Sequence, residues 1–333
     1  MDIIGSVNGS CIKRRDFMFK KNNLFTVIFL FIFLLAAAVP VSALEVNVQA
    51  PTVPGALPFL WMQEKIELPA ALEIKLNLSS DHQRGMSLLA QNDIDLLITG
   101  SNVGANAYNR GINLKMMNVN TWGIDYLLTN GFKTESWADL RGKNLALPLQ
   151  GGPLDFLARY LAQKNGLDPE KDLNLIYRAL PGGAQLFMAG ELEAIILPEP
   201  LVTISLANRE EAVLSMDLQE EWAKLNGDNR IPFVALFVNG EFSSKYPQFT
   251  DIINAYYAKG VEWINNNPEA AAELAAEHFE IPAPIFKKSL NRVNLNIYSE
   301  MESRKLTELY FGEMLKMYPE LLGGSLPDEE FYY

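Results

Sequence analysis

Residues 88–98 read LLAQNDIDLLI and residues 186–196 read LFMAGELEAII, so a stretch of one pattern recurs 98 positions further on. Each ends an amphipathic helix, turns through polar residues, passes one acidic side chain and enters a short apolar run suited to a buried strand. A second pair keeps the same offset. Val46–Ala50 alternates like a strand, breaks at Pro51–Gly55 and leads into a helix over Ala56–Lys65, with LPFLWMQEKIEL at 57–68. Asn144–Pro148 is followed by Gln150–Pro153 and a helix over Leu154–Asn165, with LDFLARYLAQKNGL at 154–167. Strands alternating with helices build βαβ units and parallel sheets. The expected fold class is therefore α/β, with two similar lobes, each carrying a central mixed, mostly parallel sheet.

Between the copies, Asn118–Thr129 reads as a strand leaving the first unit, and Ile231–Gly240 as an apolar strand going back, so a two-stranded hinge is expected. The boundaries follow: a first part of lobe 1 over 44–124, lobe 2 over 125–231, and a return to lobe 1 over 232–333. The remaining pattern is helical, over Gln248–Asn266, Pro268–His278, Ala283–Asn291 and Met301–Met317. It is expected to pack on the first lobe, with Leu322–Tyr333 as a poorly ordered or draped tail.

Residues 1–43 are of a different kind. Lys20 and Lys21 precede the uncharged run LFTVIFLFIFLLAAA at 24–38, and Val39–Ala43 ends in small residues, the layout of a secretory signal cleaved after Ala43. An uncleaved anchor is the alternative, and Pro40 weighs against it. Arg14 and Arg15 resemble a twin-arginine signal, and Met18 is a second candidate start. No cysteine follows the apolar run, so a lipoprotein anchor there is not expected. The 333-residue chain carries a net charge of −12; the leader holds five basic and two acidic side chains, leaving −15 for the rest. Such a body repels nucleic acid and anionic membranes. Cys11 is the only cysteine, and His82 and His278 the only histidines. Cysteine-based zinc sites, Cys–His pairs and internal disulfides are thereby excluded from the body.

His-Glu-x-x-His, Gly-x-Ser-x-Gly and Walker-type phosphate loops are absent from the sequence. What recurs is a set of small polar loops beyond strand C-termini: Thr52-Val53-Pro54-Gly55, Ser79-Ser80-Asp81-His82, Thr99-Gly100-Ser101-Asn102 and Asn120-Thr121-Trp122 in the first lobe, Gln150-Gly151-Gly152, Pro181-Gly182-Gly183 and Pro198-Glu199-Pro200 in the second. Open α/β sheets bind ligands at such positions, and helix N-termini hold anions through unpaired backbone N–H groups. Each loop has an ordinary reading as a cap or turn. Trp122 is a candidate for stacking on a ligand or for hinge packing; Glu199, between two prolines, for receiving an ammonium or holding the lobes together; Asp125 for contact from the hinge strand. Trp61 reads as core.

The same residues carry a family resemblance. The segments LPFLWMQEKIEL, LLAQNDIDLLITGSNV, SWADLRGKNLALPLQGGPLDFLARYLAQKNGLDPEKDLNLIY, FMAGELEAIILPEP and NNNPEAAAELAAE, in this order, resemble the solute-binding proteins of nitrate/sulfonate/taurine-type ABC importers over nearly all of residues 45–280. The resemblance implies a type II periplasmic-binding-protein fold, a solute held in an interlobe cleft and delivery to a membrane permease. The family's ligand loops fall on Thr52, Val53, Pro54 and Gly55; Ser80, Asp81 and His82; Thr99, Gly100, Ser101 and Asn102; Trp122; Gln150, Gly151 and Gly152; and Glu199. Trp122 and Glu199, with no arginine in these loops, depart from simple oxyanion binders and favour a larger organic solute such as a sulfonate or carboxylate, or one with an amine or aromatic part. The expectation is a monomeric, periplasmic or extracytoplasmic receptor with no catalytic residue, metal or cofactor. The alternatives are an enzyme on the same fold, acting on a pyrimidine precursor or a chorismate-derived compound, and a ligand-sensing receptor without transport.

Overall fold

The computed structural model describes residues 43–333 apart from Ala70, Ser80 and the side chain of His82. Of the expected export signal, residues 1–43, all but Ala43 lies outside the described residues. Among those described, no helix is long and apolar enough to cross a membrane.

Among the described residues, ten strands form two five-stranded sheets. The first holds β1 (Leu44–Ala50), β2 (Leu72–Leu78), β3 (Leu96–Gly100), β4 (Leu114–Thr121) and β10 (Val234–Asn239), in the order β2-β1-β3-β10-β4. The second holds β5 (Asp125–Asn130), β6 (Asn144–Leu147), β7 (Asn174–Tyr177), β8 (Ala194–Pro198) and β9 (Ala212–Asp217), in the order β7-β6-β8-β5-β9. Both are mixed sheets on one plan. β1 runs parallel to β3, and β6 parallel to β7 and β8. The fourth place in each sheet is taken by an antiparallel strand that has just arrived from the other lobe: β10 between β3 and β4, and β5 between β8 and β9. The duplicated pattern lands on equivalent strands, since β3 and β8 are both five residues long and lie 98 apart. Their sequences LLITG and AIILP are apolar because helices cover both faces.

Helices follow strand ends in each lobe: α1 (Leu57–Glu64), α2 (His82–Ala90) and α3 (Ser101–Asn109), then α4 (Pro153–Lys164), α5 (Leu180–Met188), α6 (Leu201–Asn208) and α7 (Leu218–Asn226). Local chemistry sets their limits. Pro153 starts α4, Asp217 caps α7 by accepting from the backbone N–H groups of Gln219 and Glu220, and Gly227 closes α7 in the left-handed region at φ 80°.

The chain crosses between sheets at Trp122–Ile124 and returns through Ile231–Phe233. Ile231 N–H donates to Trp122 O at 2.7 Å and Phe233 N–H to Thr121 O at 3.0 Å. A third segment lines the other side of the crossing: Trp122 N–H donates to Asn294 O (2.8 Å), Asn294 N–H to Gly123 O and Asn296 N–H to Asn120 O (both 2.9 Å).

After β10 come α8 (Gly240–Lys245), α9 (Pro247–Asn266), α10 (Pro268–Phe279), α11 (Ala283–Leu290) and α12 (Glu300–Met317). α9 lies on α1, where a Cβ at Gly260 would stand 2.8 Å from Pro58 and where Trp61 stacks on Trp263. This region was expected to pack on the first lobe, and part of it also reaches the second. α12 carries Tyr310 onto Phe156 and Trp222 of the second lobe, at centroid distances of 5.5 and 5.6 Å. The periodic buried face of α12 (Leu306, Tyr310, Phe311, Met314) is visible in the sequence, but nothing in it says which lobe supplies the cover.

The tail is also ordered. Phe331 is fully buried against Tyr108 and Phe237, Tyr332 bridges to Met116, and Tyr333 N–H donates to Met116 O. One apolar cluster thus runs from Met116 and Phe237 through Trp122 and Phe233 to Phe156, Trp222 and Tyr310. Phe331→Ala is expected to cost about 3–5 kcal/mol, the range for emptying a buried aromatic site, read as a lowered midpoint in urea unfolding. An unchanged midpoint would show that the tail adds nothing to the fold.

Candidate functional site

β1, β3, β6 and β8 each run into one of the loops singled out from sequence, and two of these loops bond the crossing, Ser101 to Pro232 and Phe233, and Glu199 N–H to Ile124 O. In the first lobe, Gly55 is a close approach of backbone to side chain: a Cβ there would meet Asn120 Oδ1 at 2.8 Å, and the Tyr257 hydroxyl donates to Gly55 O at 2.7 Å. Thr52 and Val53 are half-buried beside it, and Pro54 opens a short 3-10 turn. Asp81 is exposed and caps α2, its Oδ1 accepting from Arg84 N–H at 2.9 Å. Ser80 and the His82 side chain lie outside the described residues.

Thr99, Ser101, Asn102 and Asn120 are all buried. Gly100 caps α3, and Ser101 ties that helix start to the crossing, its N–H donating to Phe233 O and its hydroxyl to Pro232 O. Asn102 Oδ1 and Asn120 Nδ2 have no hydrogen-bond partner among the described residues, although Asn120 Oδ1 accepts from the Thr121 hydroxyl at 3.0 Å. Buried amide atoms are nearly always paired. Trp122 is fully buried, its Nε1 donating to Asn296 O at 3.0 Å and its ring edge-on to Tyr298, so its side chain is held in the hinge packing.

In the second lobe, Gln150 is exposed, Gly151 adopts φ 72°, and Gly152 caps α4. The turn is fastened by Asp155, whose Oδ2 accepts from Gly151 N–H at 2.8 Å while Oδ1 accepts from Arg159 Nε (2.7 Å) and the Tyr177 hydroxyl (2.9 Å). Gln150 and Gly151 border a cavity of about 170 Å³ shared with Arg159, Tyr318 and Leu321.

Glu199 is fully buried just beyond β8. Its Oε2 accepts from Thr203 N–H at 2.9 Å, and its Oε1 from the Thr203 hydroxyl at 2.8 Å and from Arg292 Nη1 at 3.1 Å. Arg292 also donates to the Thr203 hydroxyl at 3.0 Å. Burial raises the Glu199 pKa, and the donors on Thr203 and Arg292 oppose that rise. Arg292 follows α11 in the returning chain, so this ion pair spans the seam between the lobes. Sequence reasoning missed it: Arg292 stands 93 positions from its partner in the polar run NRVNLN, with no motif to mark it.

Gln219 was missed too. Its Oε1 accepts from Ile124 and Asp125 N–H and its Nε2 donates to Asp125 O. Gly123 must be glycine for this, because a Cβ there would stand 2.5 Å from Gln219 Cγ. Asp125 is fully buried, and neither carboxylate oxygen has a partner among the described residues. Burial first, and then the nearby charge of Asp217, push its pKa well above the usual carboxylate range.

A separate group, Glu64, Glu277 and His278, brings one potential metal ligand each within 4.8 Å of one another. It lies at the opposite end of α1 from Gly55, away from the seam.

The sequence profile of the NMT1-like family matches residues 75–277. Among proteins of curated function none matches the chain. Of solved structures, an ABC transporter protein from Parabacteroides distasonis is 19% identical, with a TM-score of 0.73 over 87% of this chain and 98% of that one. The periplasmic aliphatic sulphonate binding protein SsuA from Escherichia coli is 14% identical, with a TM-score of 0.67 over 87% and 92%. The periplasmic nitrate-binding protein NrtA from Synechocystis is 11% identical, with a TM-score of 0.67 over 83% and 82%. At these identities the likeness establishes the fold: two α/β lobes of the type II periplasmic-binding-protein class.

Two outcomes are expected of the buried carboxylates. Arg292→Met leaves Glu199 buried without its cation and should lower stability by about 3 kcal/mol, the lower side for a buried pair because Arg292 keeps one edge to solvent, measured by urea unfolding. Asp125 binds its proton more tightly folded than unfolded, so the stability it lends at acid pH is lost as pH rises above its ordinary value of 3.8. The stability of the wild type relative to Asp125→Asn should therefore decline as the pH rises above about 4. A flat difference would mean that Asp125 finds a partner in solution.

Proposed function

The chain belongs to the NMT1-like family, and on that footing we propose that it is an extracytoplasmic solute receptor: it captures a small organic molecule between its lobes and hands it, unchanged, to an ABC import permease. The observation that carries this reading is the pair Asn102 Oδ1 and Asn120 Nδ2, buried atoms without a partner among the described residues, at loop ends where an open α/β sheet holds ligands. The likeness to a sulphonate-binding and a nitrate-binding protein, and the export signal read from residues 1–43, support it. The proposed contact set is that of the loops Thr52 to Gly55, Ser80 to His82, Thr99 to Asn102 and Gln150 to Gly152, while Glu199, held by Thr203 and Arg292, serves the seam instead. Trp122 acts there by fixing the hinge floor.

Closure is a rotation about the crossing at Trp122–Ile124 and Ile231–Phe233, a hinge of a few residues between packed bodies. A solute shifts the lobes toward closure only through contacts it makes better in that state.

Thermal-shift screening against sulfonates, carboxylates, pyrimidines and amino-acid-like solutes should yield a stabilising molecule, and small-angle scattering should show the protein more compact with it bound. Asn102→Ala and Asn120→Ala should each weaken that molecule by about tenfold or more, with little change in the melting temperature of the free protein. Unchanged affinity in both variants would refute the site, and a solute that binds with no compaction would refute closure.

A further inference from the structure

The chain from Tyr318 to Leu322 touches both lobes, and the two attachments differ in kind. Toward the first lobe the bonds are directional. Asn106 and Asn109, three apart on α3 and so on one face of it, donate their side-chain amides to Glu320 O at 2.6 Å, Leu322 O at 2.5 Å and Ser325 O at 2.8 Å. Gly323, at φ 73°, lets the chain pass close beneath α3: a Cβ there would stand 3.0 Å from Asn109 Cβ. Leu322 is fully buried, and further on the Tyr108 hydroxyl of α3 donates to Asp328.

Toward the second lobe the same turn makes apolar contacts. Leu321 Cδ2 lies 3.5 Å from where a Cβ on Gly151 would stand, and the Tyr318 ring meets Phe156 edge-on at a centroid distance of 6.4 Å. Among the described residues, no backbone hydrogen bond joins Tyr318–Gly324 to the second lobe. Between the two surfaces is the cavity of about 170 Å³, with Asp155, Arg159 and Glu170 on one wall and Tyr318, Glu320 and Leu321 on the other. Well-packed interiors leave few gaps larger than a water molecule; this one is larger and lined with charge, so water enters it.

The wall on the second lobe is complete without the turn. Arg159 is bonded by Asp155, Glu170 and Tyr177, and Gly151 N–H by Asp155, all within that lobe. Lifting the turn away therefore strands no buried charge. Pulling it from α3 would break three hydrogen bonds and expose Leu322. When the lobes part, the weaker attachment is the one to the second lobe.

We infer that the turn Pro319–Leu322 is a latch carried by the first lobe. Seated on the Gln150–Gly152 loop, it raises the closed population before any solute binds, and as the lobes open it stays with α3 and uncovers that loop. A receptor biased in this way spends less of the solute's binding free energy on closing, so its apparent affinity is higher. The inference rests on the hinge of the receptor reading and goes beyond it, naming a contact within the chain that sets where closure starts.

Spin labels at Glu73→Cys in the first lobe and Gln163→Cys in the second, both exposed positions, report the lobe separation in a chain carrying Cys11→Ser. Without solute, the share of long distances should rise about threefold or more in Leu321→Asp, which brings a carboxylate to the wall facing Asp155 and Glu170. The same rise is expected in the double variant Asn106→Ala and Asn109→Ala, which frees the turn from α3. Urea unfolding checks that each variant folds, and Leu321→Ala takes the place of one that does not. Distances unchanged in the folded variants would overturn the latch. A stabilising sulfonate or carboxylate that still shortens them would then leave the receptor reading intact, whereas one that binds without shortening them would take closure down as well.

Discussion

Four residues, Asn120 to Gly123, bear the connection between the lobes, and the constraint on them is that buried backbone groups must be paired. Asn120 and Thr121 end β4, and Trp122 and Gly123 lie before β5 begins, so the ladder stops within them. Their partners come from two distant parts of the chain, Ile231 and Phe233 on one side and Asn294 and Asn296 on the other. Gln219 completes the arrangement by bonding Ile124 and Asp125, which is possible only because Gly123 has no side chain. The pivot is therefore a small three-segment patch rather than two free strands, and motion of one lobe against the other must be taken up within it.

The third segment has a larger consequence. By drawing Asn294–Asn296 through the pivot, the fold brings the C-terminal chain from the α11 side to α12, where Tyr310 meets the second lobe while Phe331 and Tyr332 hold the tail to the first. The lobes share an apolar cluster through this helix. Any opening at the seam must trade that contact against whatever the solute offers, so α12 is part of the closure equilibrium and not an appendage.

Along the seam, two buried carboxylates show what partners decide. Burial raises the pKa of both. Glu199 receives donors from Thr203 and Arg292, which oppose the effect of burial, and it links the lobes. Asp125, with no donor and with Asp217 nearby, is held neutral far more strongly. The first is a finished structural contact. The second has no hydrogen-bond partner among the described residues.

The sequence by itself determined the class of fold, the doubled plan and the loops at strand ends. These follow from local periodicity and from glycine and proline placement: LLITG and AIILP could be matched at a fixed offset because buried strands and their turns are written in neighbouring residues. Phe59 and Trp61 declared an apolar helix, and Gly152-Pro153 a helix start. What the sequence left open is pairwise and distant. Whether Trp122 faces a ligand or the hinge, whether Glu199 meets an ammonium or an arginine, and which lobe covers Tyr310 depend on residues roughly 90 to 190 positions away, brought together only by the crossing of the chain. The tertiary structure decided these because burial changes the chemistry of a group according to its neighbours, and neighbours across a seam leave no periodic trace in either segment.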